Sequence, residues 1–439
     1  MSPRRGRWLA ITEWTLFAAG ILIHATQVPK GLWGDGAFRF QYLQLLVQSK
    51  PSISSFQYSY VGPMFALPLY LLDVLFKTPT HWFTERYNLL LFTIGVVVLA
   101  RLWRNEADRA QVRAFALLLI AASMLPFHTI LFYGEMFTAV TVAIGLALLP
   151  KTRWGWLLVG LGCANSPACV VPMGLVALWL AWRDRRLLPL IAVGATAGFV
   201  LLENLVRRGD ALATDYVGSG AGAGGVLPFT GKPGFSYPLL FGLLALLFSF
   251  GRGIAWFVPG LWLSFAKRRV RTAVDGTLAA WLIFTVGLVV VYAKWWSWHG
   301  AAYQGPRFLL FAVFPAAWLL AHFIVFRREE KLSPFITLTV LAFSVWVSIA
   351  CMSFHYFKME RVPQCGLADG ALCTFVIDFS TLFYPWVQAL PVSTDEKMHD
   401  ALCVLVGLRF AVPLVVEGWA RLKERWLRQR ALPLKQWGL

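Results

Sequence analysis

The sequence is short of charge. Only 14% of its 439 residues are Asp, Glu, Lys or Arg, whereas 58% are hydrophobic and 15% are aromatic. A soluble domain carries about 25% charged residues, so this chain has too few charges to cover a water-facing surface. The length would allow two or three soluble domains, but no polar stretch is long enough to form one. We therefore predict a single membrane domain over residues 1–439 in an all-α polytopic protein.

Several chemical motifs are also missing. The sequence has no P-loop and no Gly-x-Gly-x-x-Gly segment after a strand, so it offers no site for a cytoplasmic nucleotide sugar. It has neither a Gly-x-Ser-x-Gly motif nor a zinc-protease motif. The six cysteines and seven histidines do not show metal-ligand spacing.

The chain is rich in basic residues, with 40 Lys and Arg against 22 Asp and Glu. They occur in short runs between apolar stretches, which is the pattern of cytoplasmic loops and disfavours nucleic-acid binding. Stretches of about 20 apolar residues can cross a bilayer, and we predict about 12 transmembrane helices. The predicted spans are 8–27, 87–104, 113–131, 136–150, 154–169, 170–183, 187–205, 252–267, 273–292, 307–326, 333–352 and 400–420.

One further apolar run, 58–76, decides the topology. If it crossed, the basic residues at 101–113 and every later basic run would change sides. It contains Pro63, Pro68 and Asp73, which suit a juxtamembrane helix at the outer interface. We predict that it does not cross, that both termini are cytoplasmic, and that the outer face is the periplasmic side of a bacterial inner membrane. The predicted outer segments are 28–86, 206–251, 293–306 and 353–399.

Two features of the outer segments remain open from the sequence. The Gly-rich stretch 218–234 fits either a mobile flap over a substrate or a plain linker. Cys365 and Cys373 share the last outer segment, where an oxidising compartment would permit a disulfide or leave two thiols.

Two acidic residues stand at predicted outer ends of helices. A helix starting near Asp35 would place Asp35 and Arg39 on one face, and the glycines beside Asp35 leave space for a ligand. Asp35 also suits a simple helix N-cap. Glu135 fits either a favourable position in a helix dipole or a second carboxylate at the same outer site.

The outer segment KWWSWHGAAYQGPRFLL combines cations with aromatic rings. An interfacial aromatic belt explains the tryptophans, but not two cations and a histidine bracketed by Gly300, Gly305 and Pro306. Cations near the headgroup plane can bind a lipid phosphate, or they can simply extend to the interface. The candidate phosphate ligands are Lys294, Arg307, Arg252, Arg86 and Arg39, and the candidate sugar or acceptor contacts are His299, Trp295, Trp298 and Tyr303.

The order of these segments resembles the GT-C superfamily of integral-membrane glycosyltransferases, in particular bacterial proteins akin to the protein O-mannosyltransferases and the aminoarabinose transferases. The matching blocks are GDGAFRFQYLQLL, SYVGPMFALPLYLL, FHTILFYGEMFTAVTVAIGLALL, WLLVGLGCANSPACVVPMGLVAL, FSFGRGIAWFVPGLWL and WWSWHGAAYQGPRFLL. The resemblance implies a GT-C-like module at 1–205 with a catalytic first outer loop (28–86). A mobile outer loop (206–251) and variable C-terminal helices (252–439) would follow.

The resemblance also implies a chemistry. The donor would be a sugar on a polyprenyl phosphate or pyrophosphate, and the acceptor would be a lipid, a glycan or a protein. Asp35 would act as general base on an acceptor hydroxyl with inversion at the sugar. The position of Glu135 on the same side of the membrane, rather than the resemblance, makes it the second candidate catalytic residue. Many relatives carry Asp-Glu or Asp-x-Asp where this chain has Asp35 and Gly36, so we expect no metal, with a divalent cation as the less favoured alternative.

Two other functions compete with this hypothesis. A transporter or lipid flippase would line a path with the same charges, although transporters usually show repeat symmetry and place their functional groups near the midplane. A non-catalytic scaffold protein of envelope assembly would have the same fold but no catalytic acidic residue. The one-sided distribution of the charged residues favours the transferase.

Overall fold

The structure is a computed structural model that describes residues 3–28, 30–47, 58–212, 234–300, 304–359, 362, 365 and 371–431. Within these residues the chain is helical, with one isolated backbone bridge between Gly31 and Leu131. The helices of ten residues or more are α1 Pro3–Thr26, α2 Asp35–Val47, α3 Leu67–Phe76, α4 Tyr87–Leu102, α5 Arg109–Ala121, α6 Gly134–Leu148, α7 Gly155–Asn165, α8 Val170–Asp184, α9 Leu188–Arg208, α10 Leu239–Phe248, α11 Asp275–Ala293, α12 Val313–Val325, α13 Pro334–Ser353 and α14 Thr394–Ala431.

Shorter helical turns connect these helices. The α-helical turns are Val61–Met64, Leu125–Thr129, Ile254–Phe257, Tyr356–Met359, Ala371–Phe375 and Tyr384–Val387, and the 3₁₀ turns are Pro79–His81, Thr84–Arg86, Pro167–Cys169, Pro259–Phe265, Arg307–Ala312 and Ile377–Phe379.

Among the residues that the structure describes, seven helical segments are long and apolar enough to cross a membrane. They are Gly6–Thr26, Pro79–Leu102, Leu188–Arg208, Asp275–Ala293, Arg307–Val325, Pro334–Ser353 and Thr394–Arg428. The prediction of an all-α, multi-pass membrane protein is confirmed. The total of twelve crossings stays a prediction, because several predicted spans form shorter apolar helices such as α6 and α7.

The structure differs from the predicted spans and loops in several places, one of which is the span 113–131, interrupted between the end of α5 at Ala121 and the turn Leu125–Thr129. The predicted span 252–267 is broken into Ile254–Phe257 and the 3₁₀ segment Pro259–Phe265, because proline cannot continue the helical hydrogen bonding. The predicted outer loop 206–251 contains α10, whose apolar sequence LLFGLLALLF packs against α11. The Gly-rich stretch 218–233 lies outside the described residues, so its interpretation as a flap stays a prediction.

The run 58–76 forms the turn Val61–Met64 and the ten-residue helix α3. At 1.5 Å per residue α3 is about 15 Å long, roughly half the thickness of a bilayer core, which agrees with a segment that does not cross. The buried Asp73 carboxylate accepts hydrogen bonds from Thr84 N (2.8 Å) and Phe83 N (2.9 Å). Asp73 therefore fixes the following loop rather than facing solvent.

The centre of the protein is filled by aromatic side chains from four helices. Trp103 packs against Trp318 and Trp281 with ring centroids 4.5 and 5.4 Å apart, and Phe115 lies against the same rings. Helices α5 and α12 are buried almost throughout. This packed centre holds the ends of the helices in fixed relative positions.

Within the helical bundle, one acid has two basic partners. The buried carboxylate of Glu13 in α1 contacts Arg113 Nε at 2.5 Å and Arg409 Nη2 at 2.6 Å. The first, fifth and last long helices are thereby joined through one carboxylate. Glu13 therefore has a structural role, because an acid inside a helical bundle needs basic partners and here it has two.

Candidate functional site

Helix α2 begins at Asp35, as the sequence predicts, directly after Gly34 in a left-handed conformation (φ 53°). The start of α2 lies beside the segment before α6, where Gly31 N donates to Ile130 O at 3.1 Å. A Cβ on Gly36 would approach Phe132 O to 3.3 Å, so a small residue is needed there. This close approach brings Asp35 next to the start of α6, where Glu135 lies.

Arg307 joins the two carboxylates. Its Nη1 atom lies 2.7 Å from Asp35 Oδ2 and 3.3 Å from Glu135 Oε1. The side chain of Arg307 is 8% exposed and each carboxylate is 16% exposed. Three segments that are far apart in sequence therefore meet in one charged cluster, which we call the Asp35 site.

The electrostatic surroundings keep Asp35 ionised. Burial alone would raise the pKa of Asp35, but the charge of Arg307, hydrogen bonds from Tyr58 and Arg307 and the charge of Arg39 together hold that pKa below its usual value. Asp35 is therefore a carboxylate at neutral pH, able to accept a proton from a ligand.

Arg39 lies one turn after Asp35 and is buried beside it. Its Nη1 donates to Asn165 Oδ1 at 3.1 Å, and its guanidinium lies 4.7 Å from the centre of the Tyr58 ring. A Cβ on Gly134 would stand 2.5 Å from the Arg39 Cζ atom, so the guanidinium occupies the space that the glycine leaves. Arg39 thus belongs to the site, packed directly behind Asp35.

Asn165, at the end of α7, is a site residue that the sequence reasoning missed. Its Nδ2 donates to Gly134 O and to Thr138 Oγ1, both at 2.9 Å, while its Oδ1 accepts from Arg39. Asn165 therefore connects α7, the first turn of α6 and α2. An amide at the end of an apolar helix was the available signal.

His299 lies close enough to Arg252 and Arg307 for both charges to act on it. The side chains of Arg252 and His299 are buried, at 5% and 6% exposure. Burial, together with the charges of Arg252 and Arg307, lowers the pKa of His299 to about 3. His299 is therefore neutral at physiological pH and adds no charge to the two neighbouring arginines.

The late outer segment supports Arg252. Cys365 and Cys373 are paired as a disulfide with Cα atoms 5.5 Å apart, which answers the question that the sequence left open. Gly251 N donates to Thr374 O at 3.0 Å, so the turn carrying Arg252 lies directly on this disulfide-closed segment.

The structure places Arg86 apart from the Asp35 site. Its Nε donates to Ala25 O at 2.8 Å, its Nη1 donates to Trp82 O at 2.7 Å, and its guanidinium lies over the Trp82 ring at 3.8 Å. Arg86 therefore fixes the end of α1 against the first outer loop. Its predicted role in phosphate binding stays a prediction.

The aromatic candidates follow α11 in sequence. Trp298 is buried, with its ring centroid 5.8 Å from those of His299 and Phe375. Lys294 and Trp295 are half-buried at the end of α11, and Tyr303 lies outside the described residues. Their contacts with sugar or phosphate stay predictions.

No cation site stands out in the part of the chain that the structure describes. Among those residues, no group of three or more His, Cys, Asp or Glu side chains could hold a metal ion. The two carboxylates of the Asp35 site contact a guanidinium instead.

The comparison with solved structures supports the predicted fold. The crystal structure of ArnT from Cupriavidus metallidurans bound to undecaprenyl phosphate matches with a TM-score of 0.52 and 16% identity, over 95% of this chain and 72% of that chain. The crystal structure of the apo state of that protein matches with a TM-score of 0.53 and 13% identity, over 94% and 77%. No protein-family model and no curated protein sequence matches the chain. At this identity the likeness establishes the fold, and the predicted resemblance to GT-C proteins is confirmed at that level.

Proposed function

We propose that the chain is a membrane-embedded glycosyltransferase that moves a sugar from a polyprenyl-phosphate donor to an acceptor hydroxyl. The observation that carries the proposal is the meeting of Asp35, Glu135 and Arg307, with Arg39 and Arg252 close by. The five side chains carry a net charge of +1, so a phosphate fits the cluster without leaving a buried excess of negative charge. The ArnT fold, with undecaprenyl phosphate bound in one of its structures, supports the same donor class.

In the proposed reaction, Asp35 takes the proton of the acceptor hydroxyl while the hydroxyl oxygen attacks the anomeric carbon of the sugar. The bond from that carbon to the phosphate oxygen breaks, and its electron pair stays on the polyprenyl phosphate. Arg307 and Arg252 stabilise the charge that develops on this leaving group. Attack opposite to the leaving phosphate inverts the configuration of the anomeric carbon.

Glu135 has a supporting part in this proposal. It shares Arg307 with Asp35, at 3.3 Å against 2.7 Å. When the donor phosphate takes up part of the Arg307 hydrogen bonding, Glu135 keeps the guanidinium in place and Asp35 becomes the freer base. Glu135→Gln should therefore weaken donor binding and turnover together.

The proposed site faces the periplasm. The basic runs place the opposite ends of the helices in the cytoplasm, and the Cys365–Cys373 disulfide next to the Arg252 turn is stable in an oxidising compartment. Cysteines substituted for the exposed residues Asp210 and Leu212, in the predicted outer segment 206–251, should react with a membrane-impermeant maleimide in spheroplasts. In inverted vesicles they should be protected.

The test uses purified protein in liposomes, membrane extract as the acceptor source, and a panel of radiolabelled undecaprenyl-phosphate pentoses and hexoses. The wild type should transfer label from one of these donors, and Asp35→Asn should reduce the rate by about 10²–10⁴-fold, the usual contribution of a general base. The exposed Asp210 provides the matched control, and Asp210→Asn should leave transfer unchanged. Full activity of Asp35→Asn would refute the proposal, and movement of label across the bilayer without product would favour a transporter.

A further inference from the structure

The outer end of α9 binds residues 58–60 of the first outer loop. Glu203 Oε1 accepts hydrogen bonds from Ser59 Oγ and from Tyr60 N, both at 2.9 Å. Arg207 Nη1 donates to Tyr58 O at 2.5 Å, and its guanidinium lies 4.9 Å from the centre of the Tyr60 ring. Two side chains one helical turn apart therefore bind three consecutive residues.

The same segment reaches the Asp35 site. The Tyr58 side chain donates a hydrogen bond to Asp35, and the Tyr58 ring lies under the Arg39 guanidinium at 4.7 Å. Four residues further on, a Cβ at Gly62 would stand 2.3 Å from Asn165 Oδ1, so the backbone there lies against Asn165, the hydrogen-bond partner of Arg39. Residues 58–62 therefore contact Asp35 and Arg39 through Tyr58, and they contact the Arg39 partner Asn165 through Gly62.

Anchoring α9 would not by itself explain why the charged side chains of Glu203 and Arg207 are buried. Glu203 and Arg207 are 11% and 5% exposed, although most apolar side chains of the last turns of α9 are exposed. Burying two charges costs free energy that an apolar contact would avoid. The two charges lie 3.6 Å apart and are both directed at residues 58–60, of which Tyr58 contacts Asp35 and Arg39 through its side chain.

We propose that Glu203 and Arg207 are positioning residues that hold Tyr58 against Asp35 and so orient the carboxylate towards the acceptor hydroxyl. The proposal rests on the proposed function for its catalytic consequence. Its structural part, the control of Asp35 through Tyr58, can be measured without transfer activity.

Loss of this positioning is predicted to change the pKa of Asp35 as well as the rate of sugar transfer. Without the Tyr58 hydrogen bond, the Asp35 carboxylate loses a partner that favours its charged form, so the pKa of Asp35 rises. A base must be ionised to work, and activity is lost as the pH falls through its pKa. The acidic limb of the rate profile should therefore move to higher pH by about one unit, a rough value for one hydrogen bond to a carboxylate.

The test compares Glu203→Gln, Arg207→Met, Arg207→Lys and Tyr58→Phe with the wild type and with the control Asp210→Asn. Carbodiimide labels protonated carboxyl groups, and mass spectrometry of the Asp35 peptide gives the pH midpoint of labelling for each purified protein. Transfer assays with the donor that the wild type accepts give kcat and KM, and thermal unfolding in detergent shows which variants are folded.

We expect the Asp35 labelling midpoint to rise by about one pH unit in Glu203→Gln, Arg207→Met and Tyr58→Phe. The kcat should fall about ten-fold in these variants, with a smaller change in donor KM because the phosphate ligands are untouched. Arg207→Lys keeps the charge and a donor for Tyr58 O, so it should lie closer to the wild type. Adding Glu203→Gln to Tyr58→Phe should lower kcat little further, because both changes remove the same hydrogen bond.

The outcomes separate the two proposals. An unchanged labelling midpoint in folded Glu203→Gln, or additive effects with Tyr58→Phe, would overturn the positioning role. If Asp35→Asn is inactive while Glu203→Gln behaves as the wild type, only the positioning role fails. If the wild type transfers no sugar but the midpoint shifts, the proposed function fails and the control of Asp35 by Tyr58 stands.

Discussion

Replacing Arg307 with methionine would leave two carboxylates facing each other without their shared cation. Exposed ion pairs contribute roughly 0–1 kcal/mol, but Arg307 is 8% exposed and its partners are 16% exposed. Removing one partner of a buried pair costs about 3–5 kcal/mol. We expect about 3 kcal/mol for Arg307→Met, because Asp35 keeps the neighbouring charge of Arg39.

The pH dependence of this loss follows from the Asp35 pKa. That pKa is depressed in the folded protein, so the stabilisation is present above the ordinary Asp value of about 3.9 and lost as the pH falls through the folded value. In Arg307→Met, Asp35 takes up its proton at a higher pH than in the wild type. The difference in stability should therefore be largest near pH 7 and shrink towards pH 4.

The assay is thermal unfolding of purified protein in detergent between pH 4 and pH 7. Arg307→Lys is the matched control, since it keeps the charge but not the planar donor group, and it should fall between wild type and Arg307→Met. Adding Asp35→Asn to Arg307→Met should restore part of the stability by removing one unpaired carboxylate. A pH-independent loss, or strictly additive effects of the two changes, would refute the reasoning.

Three further predictions concern other parts of the molecule. Glu13→Gln should cost about 3 kcal/mol in thermal unfolding because it leaves two arginines without their carboxylate, while Glu106→Gln, in a half-exposed pair, should cost under about 1 kcal/mol. Asn165→Ala should lower the transfer rate about ten-fold, because Arg39 and Gly134 lose their common partner. The double change Cys365→Ser and Cys373→Ser should raise the donor KM without abolishing turnover, since the disulfide-closed segment supports the Arg252 turn.

The meeting of Asp35, Glu135 and Arg307 could be anticipated because the basic runs assign each of these residues to the same side of the membrane. Charged groups on one side of a membrane protein lie in a thin layer at that surface. Because the outer surface of this chain is small, the charged groups assigned to it are expected to lie close together. The start of α2 at Asp35 was predictable for a local reason, since Gly34 and Asp35 together favour a helix start.

The sequence does not predict which groups an arginine at the end of a helix will contact. Arg86 and Arg252 both stand at the predicted outer end of a helix, yet Arg86 bonds to Ala25 O and Trp82 O whereas Arg252 lies near His299. The choice depends on which backbone carbonyls and rings the tertiary packing brings within reach. Neither the hydrophobic periodicity nor the charge pattern of the sequence predicts which carbonyls and rings will lie near an arginine.

Tyr58 and Asn165 were missed for a related reason. Tyr58 lies in the predicted juxtamembrane run 58–76 and Asn165 in the predicted span 154–169. Each acquires its role through one long-range hydrogen bond, to Asp35 and to Arg39 respectively. Helix α10 was missed because its ten apolar residues are too few for a crossing, and they followed a Gly-rich stretch.

The most direct test of the central claim is an experimental structure of the full-length protein in lipid nanodiscs with undecaprenyl phosphate added. We predict the phosphate within hydrogen-bond distance, about 3 Å, of the Arg307 guanidinium, with the Asp35 carboxylate open towards the space where the sugar would lie. A phosphate bound away from Arg307, with the Asp35–Arg307 ion pair closed and unchanged, would contradict the account.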